Sequence, residues 1–278
     1  SVGRWLDYTK ISNLYFSFYS KQKISVEFFK AKGSKDSSKI EEIVETYPVR
    51  CNADIESFSN VVTNLTSFEK EPVKFNRENS KKDGVFRYCI ELDNIESEEI
   101  LYPVLTALED ADIQFIGWES DVNEKDLIPL RIALGICTYK REEFVKCNVE
   151  KIRNLILKKT KSPLFDKLEV YISDNGQTLS AEEFNSEKIH LFSNKNLGGA
   201  GGFTRTMIES LFNDREKAFT HIIFMDDDIE LPISTLERTY ALLSLVKDKY
   251  RYSLLGGAML LLENKNLQME FGAKFDGE

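Results

Sequence analysis

Ile222-Ile223-Phe224-Met225-Asp226-Asp227-Asp228 decides the reading of this chain: an apolar run with the character of a buried strand ends in three consecutive carboxylates. Adjacent acids repel one another and resist desolvation, so folding alone gives no reason for the cluster. A bound cation cancels that charge. Hard divalent ions such as Mg²⁺ suit the place, because they take oxygen ligands, keep some waters and are commonly shared with substrate phosphates. The plainer alternative is a solvated acidic turn.

Outward from this segment, strands and helices alternate. Ile132 to Cys137, Leu168 to Ile172, Ile189 to Phe192 and Ile222 to Met225 read as strands. Between and after them, Glu142 to Lys159, Thr204 to Phe212 and Ile233 to Lys249 read as helices, the first carrying Val145, Val149, Ile152 and Ile156 at helical spacing. The expectation is an α/β domain with a mostly parallel, Rossmann-like sheet covered by helices over residues 128–278. The boundary is placed at Asp126-Leu127-Ile128-Pro129. Before it, over residues 1–127, Leu14 to Phe18, Ile24 to Phe29, Val85 to Leu92 and Ile113 to Trp118 are β-prone runs separated by polar stretches. That predicts an all-β sandwich domain. Ile95 to Leu108 is ambiguous, with Pro103 weighing against a long helix.

A chain of 278 residues fits two domains, and a hydrophobic fraction of 42% is ample for their cores. The net charge of −9 argues against nucleic acid as a partner, so any nucleotide is expected as a small ligand. Cys51, Cys89, Cys137 and Cys147 lack the close pairing of a zinc or redox motif, which predicts reduced, mostly buried thiols in a cytoplasm. His190 and His221 border apolar stretches and are assigned structural roles. The longest near-apolar run, Leu254 to Leu262, is far shorter than the roughly 20 residues of a membrane helix. Lys158, Lys159, Lys161 and Lys167 are read as a solvated face, with contact to anionic lipid heads as the alternative.

In an open α/β sheet, ligands settle beyond the carboxyl ends of the strands. The four exits here are Thr138-Tyr139-Lys140-Arg141, Ser173-Asp174-Asn175-Gly176, Ser193 through the run Gly198-Gly199-Ala200-Gly201-Gly202, and the acidic triplet. Asp174 is placed to accept hydrogen bonds from a nucleobase edge, unless it simply shapes a turn. Arg141 offers a planar fork to base or phosphate. The glycines before Phe203-Thr204-Arg205 would let backbone approach a ligand and present free amides at a helix start. A flexible loop without ligand is the alternative.

Together these exits resemble family 2 nucleotide-sugar glycosyltransferases of the GT-A fold, and among them galactofuranosyltransferases. The likeness rests on Cys137 to Arg141, Ser173 to Gly176, Asn194 to Gly202 and Phe224 to Asp228, with Gly256-Gly257-Ala258-Met259 and Glu270-Phe271-Gly272-Ala273 following. It implies an inverting transfer of a sugar, galactofuranose, from a UDP-sugar to a glycan or lipid-linked glycan at the inner face of a bacterial membrane. It further implies that Thr138, Arg141 and Asp174 hold the uridine and that Asn194 or Asn196 lies near the nucleotide-sugar. Gly198, Gly199, Gly201, Gly202 and Arg205 would meet the donor, Asp226 and Asp228 would hold Mn²⁺ or Mg²⁺, and Asp227 would face the sugar. The general base is expected beyond Glu278, together with a tryptophan-rich segment and a histidine. Peripheral membrane association and homo-oligomerisation stay open. Two rivals remain: a haloacid-dehalogenase-type phosphatase with Asp226 as nucleophile, and a non-catalytic carbohydrate-binding scaffold.

Overall fold

The computed structural model describes residues 2–22, 24–32, 45–48, 86–92, 99–107, 109–120, 122–264 and 267–270. The chain divides into two compact units, Ser1–Leu127 with Leu245–Asp248, and Ile128–Ser244 with Lys249–Glu278.

The first unit opens with a short helix, α1 (Val2–Tyr8), and continues as β1 (Leu14–Ser20), β2 (Ile24–Lys32), β3 (Glu45–Pro48), β4 (Phe86–Leu92), β5 (Glu99–Ala107) and β6 (Ile113–Ser120). These strands form two antiparallel three-stranded sheets, in the orders β4-β1-β6 and β3-β2-β5. Phe16 of β1 meets Phe28 of β2 edge-on, with ring centres 5.4 Å apart, and Trp118 of β6 lies 5.2 Å from Phe16. The ambiguous stretch around Pro103 is the edge strand β5, where a residue without an N–H does least harm to a ladder. The side chains of the β-prone run Val85 to Leu92 lie outside the described residues.

The second unit contains β7 (Ile132–Thr138), α2 (Glu142–Ile152), β8 (Leu168–Asp174), α3 (Ala181–Phe184), β9 (Ile189–Ser193), α4 (Gly198–Met207), β10 (His221–Asp226) and α5 (Ile233–Leu245). A hairpin of β11 (Met259–Leu260) and β12 (Gln268–Glu270) follows. The sheet is wholly parallel in the order β10-β7-β8-β9. The side chains of each strand alternate between its faces. Ile132, Leu134, Ile136, Val170 and Ile172 join Val145, Val149 and Ile152 of α2 and Leu236 of α5 in one buried cluster. Gly135 and Cys137 turn the other way, toward α4.

Three helices differ from the periodicity reading, α5 only in ending at Leu245, four residues before Lys249. Helix α2 stops at Ile152, and Arg153–Leu157 continue as a wider turn. Helix α4 begins six residues earlier than expected, so the glycine-rich run is its opening rather than a loop before it. Each interior glycine costs a helix roughly 1 kcal/mol relative to alanine, which hid the helix from propensity. Close packing accounts for it: a Cβ on Gly202 would lie 2.1 Å from Cys137 Sγ, and one on Gly201 would lie 2.4 Å from Leu197 Cβ. Among the described residues no helix is long and apolar enough to cross a membrane.

Candidate functional site

β8 and β9 extend the sheet on one side of β7, whereas β10 is added on the other. The direction in which strands are added to the sheet therefore reverses at β7, and such a switch point leaves a crevice at the carboxyl ends of β7 and β10. Cys137 and Asp226 are register partners at those ends. A cleft of about 380 Å³ opens there, lined by Cys137, Thr138, Tyr139, Arg141, Asn175, Asn196, Gly198, Gly199 and the three aspartates Asp226, Asp227 and Asp228.

The acids differ in exposure. Asp226 and Asp228 are exposed, while Asp227 is 8% exposed. Arg141, at the start of α2, forms an ion pair with Asp228 and lies 3.9 Å from Asp227. Burial, followed by the charges of Asp227 and Asp226, raises the Cys137 thiol above its ordinary range and keeps it neutral. Thr138 Oγ1 is buried without a hydrogen-bond partner among the described residues, in the wall of the same cleft.

The glycine-rich helix start presents its first-turn N–H groups, which have no acceptor within the helix. Gly198 takes φ +71°, and its N–H donates to Asn196 Oδ1 at 3.1 Å. A Cβ on Gly199 would meet nothing closer than 4.0 Å, so that position is open toward the cleft. Gly201 and Gly202 face Leu197 and Cys137 instead and serve packing.

Asp174 does not line the cleft. Its carboxylate is buried and accepts four backbone N–H groups, from Gly176 and Gln177 at 2.9 Å and from Thr178 and Leu179 at 2.7 and 2.8 Å. Its acceptor positions are thus committed to its own loop, and the neighbouring Asn175 forms the wall. Asn175 Nδ2 donates to Gly198 O at 3.1 Å, and Asn194 Nδ2 donates to Asn175 Oδ1 at 2.8 Å. Arg205 is also directed elsewhere, its Nε donating to Glu209 Oε1 at 2.6 Å. Thr138, Arg141, Asn196, Gly198, Gly199 and the three aspartates are therefore gathered at one cleft. Asn194 supports its wall, and Asp174, Gly201, Gly202 and Arg205 make other contacts.

Asn175 and Asn148 were missed from sequence. Asn148 is buried on α2, and its Nδ2 donates to the carbonyls of Asp227 and Ile229 at 3.0 and 2.9 Å. A polar residue inside the apolar stripe Val145, Val149 and Ile152 was the available signal. The expectation of mostly buried thiols is corrected at Cys147, which is exposed on the outer face of α2; Cys137 is half-buried, and both are free.

Among the described residues, Glu169, His190 and Asp214 form a group with ligating atoms within 4.8 Å of one another. Lys217 Nζ lies in the middle of it, paired with Glu169 and Asp214. The internal ammonium supplies a cation there, so this is an ionic knot, within which His190 Nε2 lies 2.9 Å from Glu169 Oε2. Arg131 pairs with the second Glu169 oxygen at 3.1 Å.

A scan against protein-family models finds no match for this chain. Galactofuranosyltransferase GlfT2 of Mycolicibacterium smegmatis is 31% identical to it over 143 residues, covering 48% of this chain and 20% of that relative. Galactofuranosyltransferase GlfT2 of Mycobacterium tuberculosis is 32% identical over 142 residues, with the same coverage. The chain spans about a fifth of the length of the curated relatives it matches. This likeness gives partial support to a glycosyltransferase relationship.

Proposed function

We propose that this chain carries the nucleotide-sugar site of a glycosyltransferase that moves a sugar, galactofuranose by likeness to the relatives, from a UDP-sugar to a glycan or lipid-linked glycan. The observation that carries the reading is the switch-point cleft, where a cation, free helix-start amides and three carboxylates converge. Each group answers a part of a nucleoside diphosphate-sugar. Arg141 and the amides around Gly199 are suited to anionic phosphate oxygens. Thr138 Oγ1 offers a hydrogen bond at the wall where a uridine would lie, with Asn175, Asn194 and Asp174 holding that wall in shape.

The donor set also fits a hard divalent ion. Asp226 and Asp228 offer exposed carboxylate oxygens at the mouth of the cleft, the chemistry that Mn²⁺ or Mg²⁺ takes, and these two residues would hold the ion. Such an ion, once bound, offsets the negative charge that develops on a departing diphosphate. Asp227, more enclosed, is the carboxylate assigned to face the sugar. Arg141 pairs with Asp228 in this structure, so binding a diphosphate asks it to turn from carboxylate to phosphate.

Calorimetry with UDP tests the reading. Binding that requires Mn²⁺ or Mg²⁺ supports it. Glycan binding indifferent to metal, with no UDP binding, supports the non-catalytic scaffold instead.

A further inference from the structure

Buried amide side chains cost free energy unless their hydrogen-bonding groups are satisfied, so a buried Asn aimed at particular carbonyls constrains whatever carries those carbonyls. Asn148 is 6% exposed and sits two helical turns after Arg141, on the side of α2 that packs against the sheet. Its Nδ2 donates to Asp227 O and to Ile229 O, the two carbonyls flanking Asp228. Both partners are acceptors, which assigns the NH₂ group rather than the amide oxygen to them. No smaller or isosteric side chain brings two donor hydrogens to one place: Ser offers a single O–H, Leu none, and an ionised Asp only accepts.

From this juxtaposition we infer that Asn148 is a positioning residue, bracing the turn Asp227–Ile229 against α2 and so fixing the direction in which Asp226, Asp227 and Asp228 present their carboxylates to the cleft. The inference rests on the nucleotide-sugar reading for what the acids bind, but not for the brace itself. Three like charges in consecutive positions tend to splay the turn that carries them. The brace opposes this through the backbone and leaves the carboxylates free for a ligand. Helix α2 thereby holds the acidic turn at two points, through the Arg141 guanidinium on the Asp228 side chain and through Asn148 on the backbone. Removing groups that orient metal ligands typically lowers metal affinity 10–100-fold.

The test compares Asn148→Ala and Asn148→Ser with Val149→Ala, a core truncation on the same helix. Hydrogen exchange is followed in peptides covering residues 224–231, and Mn²⁺ and UDP affinities are measured by calorimetry. The expected result is faster exchange in that segment and affinity about ten-fold weaker in both Asn148 variants. Val149→Ala should lower the melting temperature yet leave the affinity of the folded protein unchanged. Wild-type exchange and affinity in a folded Asn148→Ser protein would overturn the inference. If the unmodified chain binds no UDP with Mn²⁺, the transferase reading falls, and the exchange comparison alone decides for or against the brace. Should Asn148→Ala fail to fold, the milder Ser variant carries the comparison.

Discussion

Gly202 and Cys137 approach so closely that a methyl group on the glycine would sit 2.1 Å from the cysteine sulfur. This contact fixes how near the start of α4 lies to the end of β7, and the cleft lies between those two ends. Gly202→Ala should therefore destabilise the protein by about 1–3 kcal/mol, the usual cost of overpacking a core. Cys137→Ala in the same chain should recover part of that loss, because it removes the sulfur and leaves Cβ at 3.1 Å. Gly199→Ala, with open space around it, should stabilise by up to roughly 1 kcal/mol through helix propensity. Thermal and urea unfolding of the four proteins checks all three expectations.

Asp174 organises its loop through four backbone N–H donors rather than through a ligand. Asp174→Ala would leave buried amides unpaired and should cost at least about 2 kcal/mol. Asp174→Asn keeps one accepting oxygen and turns an NH₂ toward two donors, so it should be nearly as damaging. If urea unfolding shows either variant within 0.5 kcal/mol of wild type, roughly the range of a neutral surface change, this role for Asp174 is wrong.

The ionic knot on the sheet predicts a pH dependence of stability. Burial raises the Glu169 carboxyl, but hydrogen bonds from His190 and Lys217 outweigh it and leave the group below the usual range. Asp214 is likewise held low: burial raises it, and the Tyr171 hydroxyl and Lys217 more than compensate. A carboxyl whose folded pKa is depressed stabilises the fold above its unfolded pKa and loses that contribution as pH falls through the folded value. Stability should accordingly be retained at neutral pH and decline on acidification below about 4.5, the ordinary value for Glu. Glu169→Gln should flatten this acid limb and cost about 1–2 kcal/mol at pH 7, since Lys217 keeps Asp214 but loses one carboxylate and the part-exposed Arg131 loses its partner. Unfolding free energies measured from pH 3 to pH 8 for both proteins decide it.

Asp228 is exposed and not part of the core, so Asp228→Asn should leave the melting temperature within a few degrees of wild type. On the proposed nucleotide-sugar reading, the same change should abolish metal-dependent UDP binding, because it removes a carboxylate charge at the cleft mouth and releases Arg141 from its partner. Metal-dependent binding of undiminished strength in this variant would remove Asp228 from the site.

Local pattern made the parallel α/β unit legible. Apolar runs at Ile132, Leu168, Ile189 and Ile222 have strand length, the stripe at Val145, Val149 and Ile152 has the helical period, and each strand ends where polar residues begin. Such signals depend on neighbours in sequence, so residues alone determined the strands and the exits worth watching, while the glycine-rich start of α4 was set by its packing against Cys137. Strand order was decided elsewhere. That β10 pairs with β7, placing Asp226 beside Cys137, follows from contacts about ninety positions apart that no local period encodes. The same holds for which polar groups are spent internally. Asp174 looks like a ligand-binding acid until its four backbone donors close around it, and Asn148 looks like a flaw in an apolar stripe until the turn after β10 reaches it. A side chain's chemistry belongs to its residue type, but the partners that consume or free that chemistry are supplied by the folded chain.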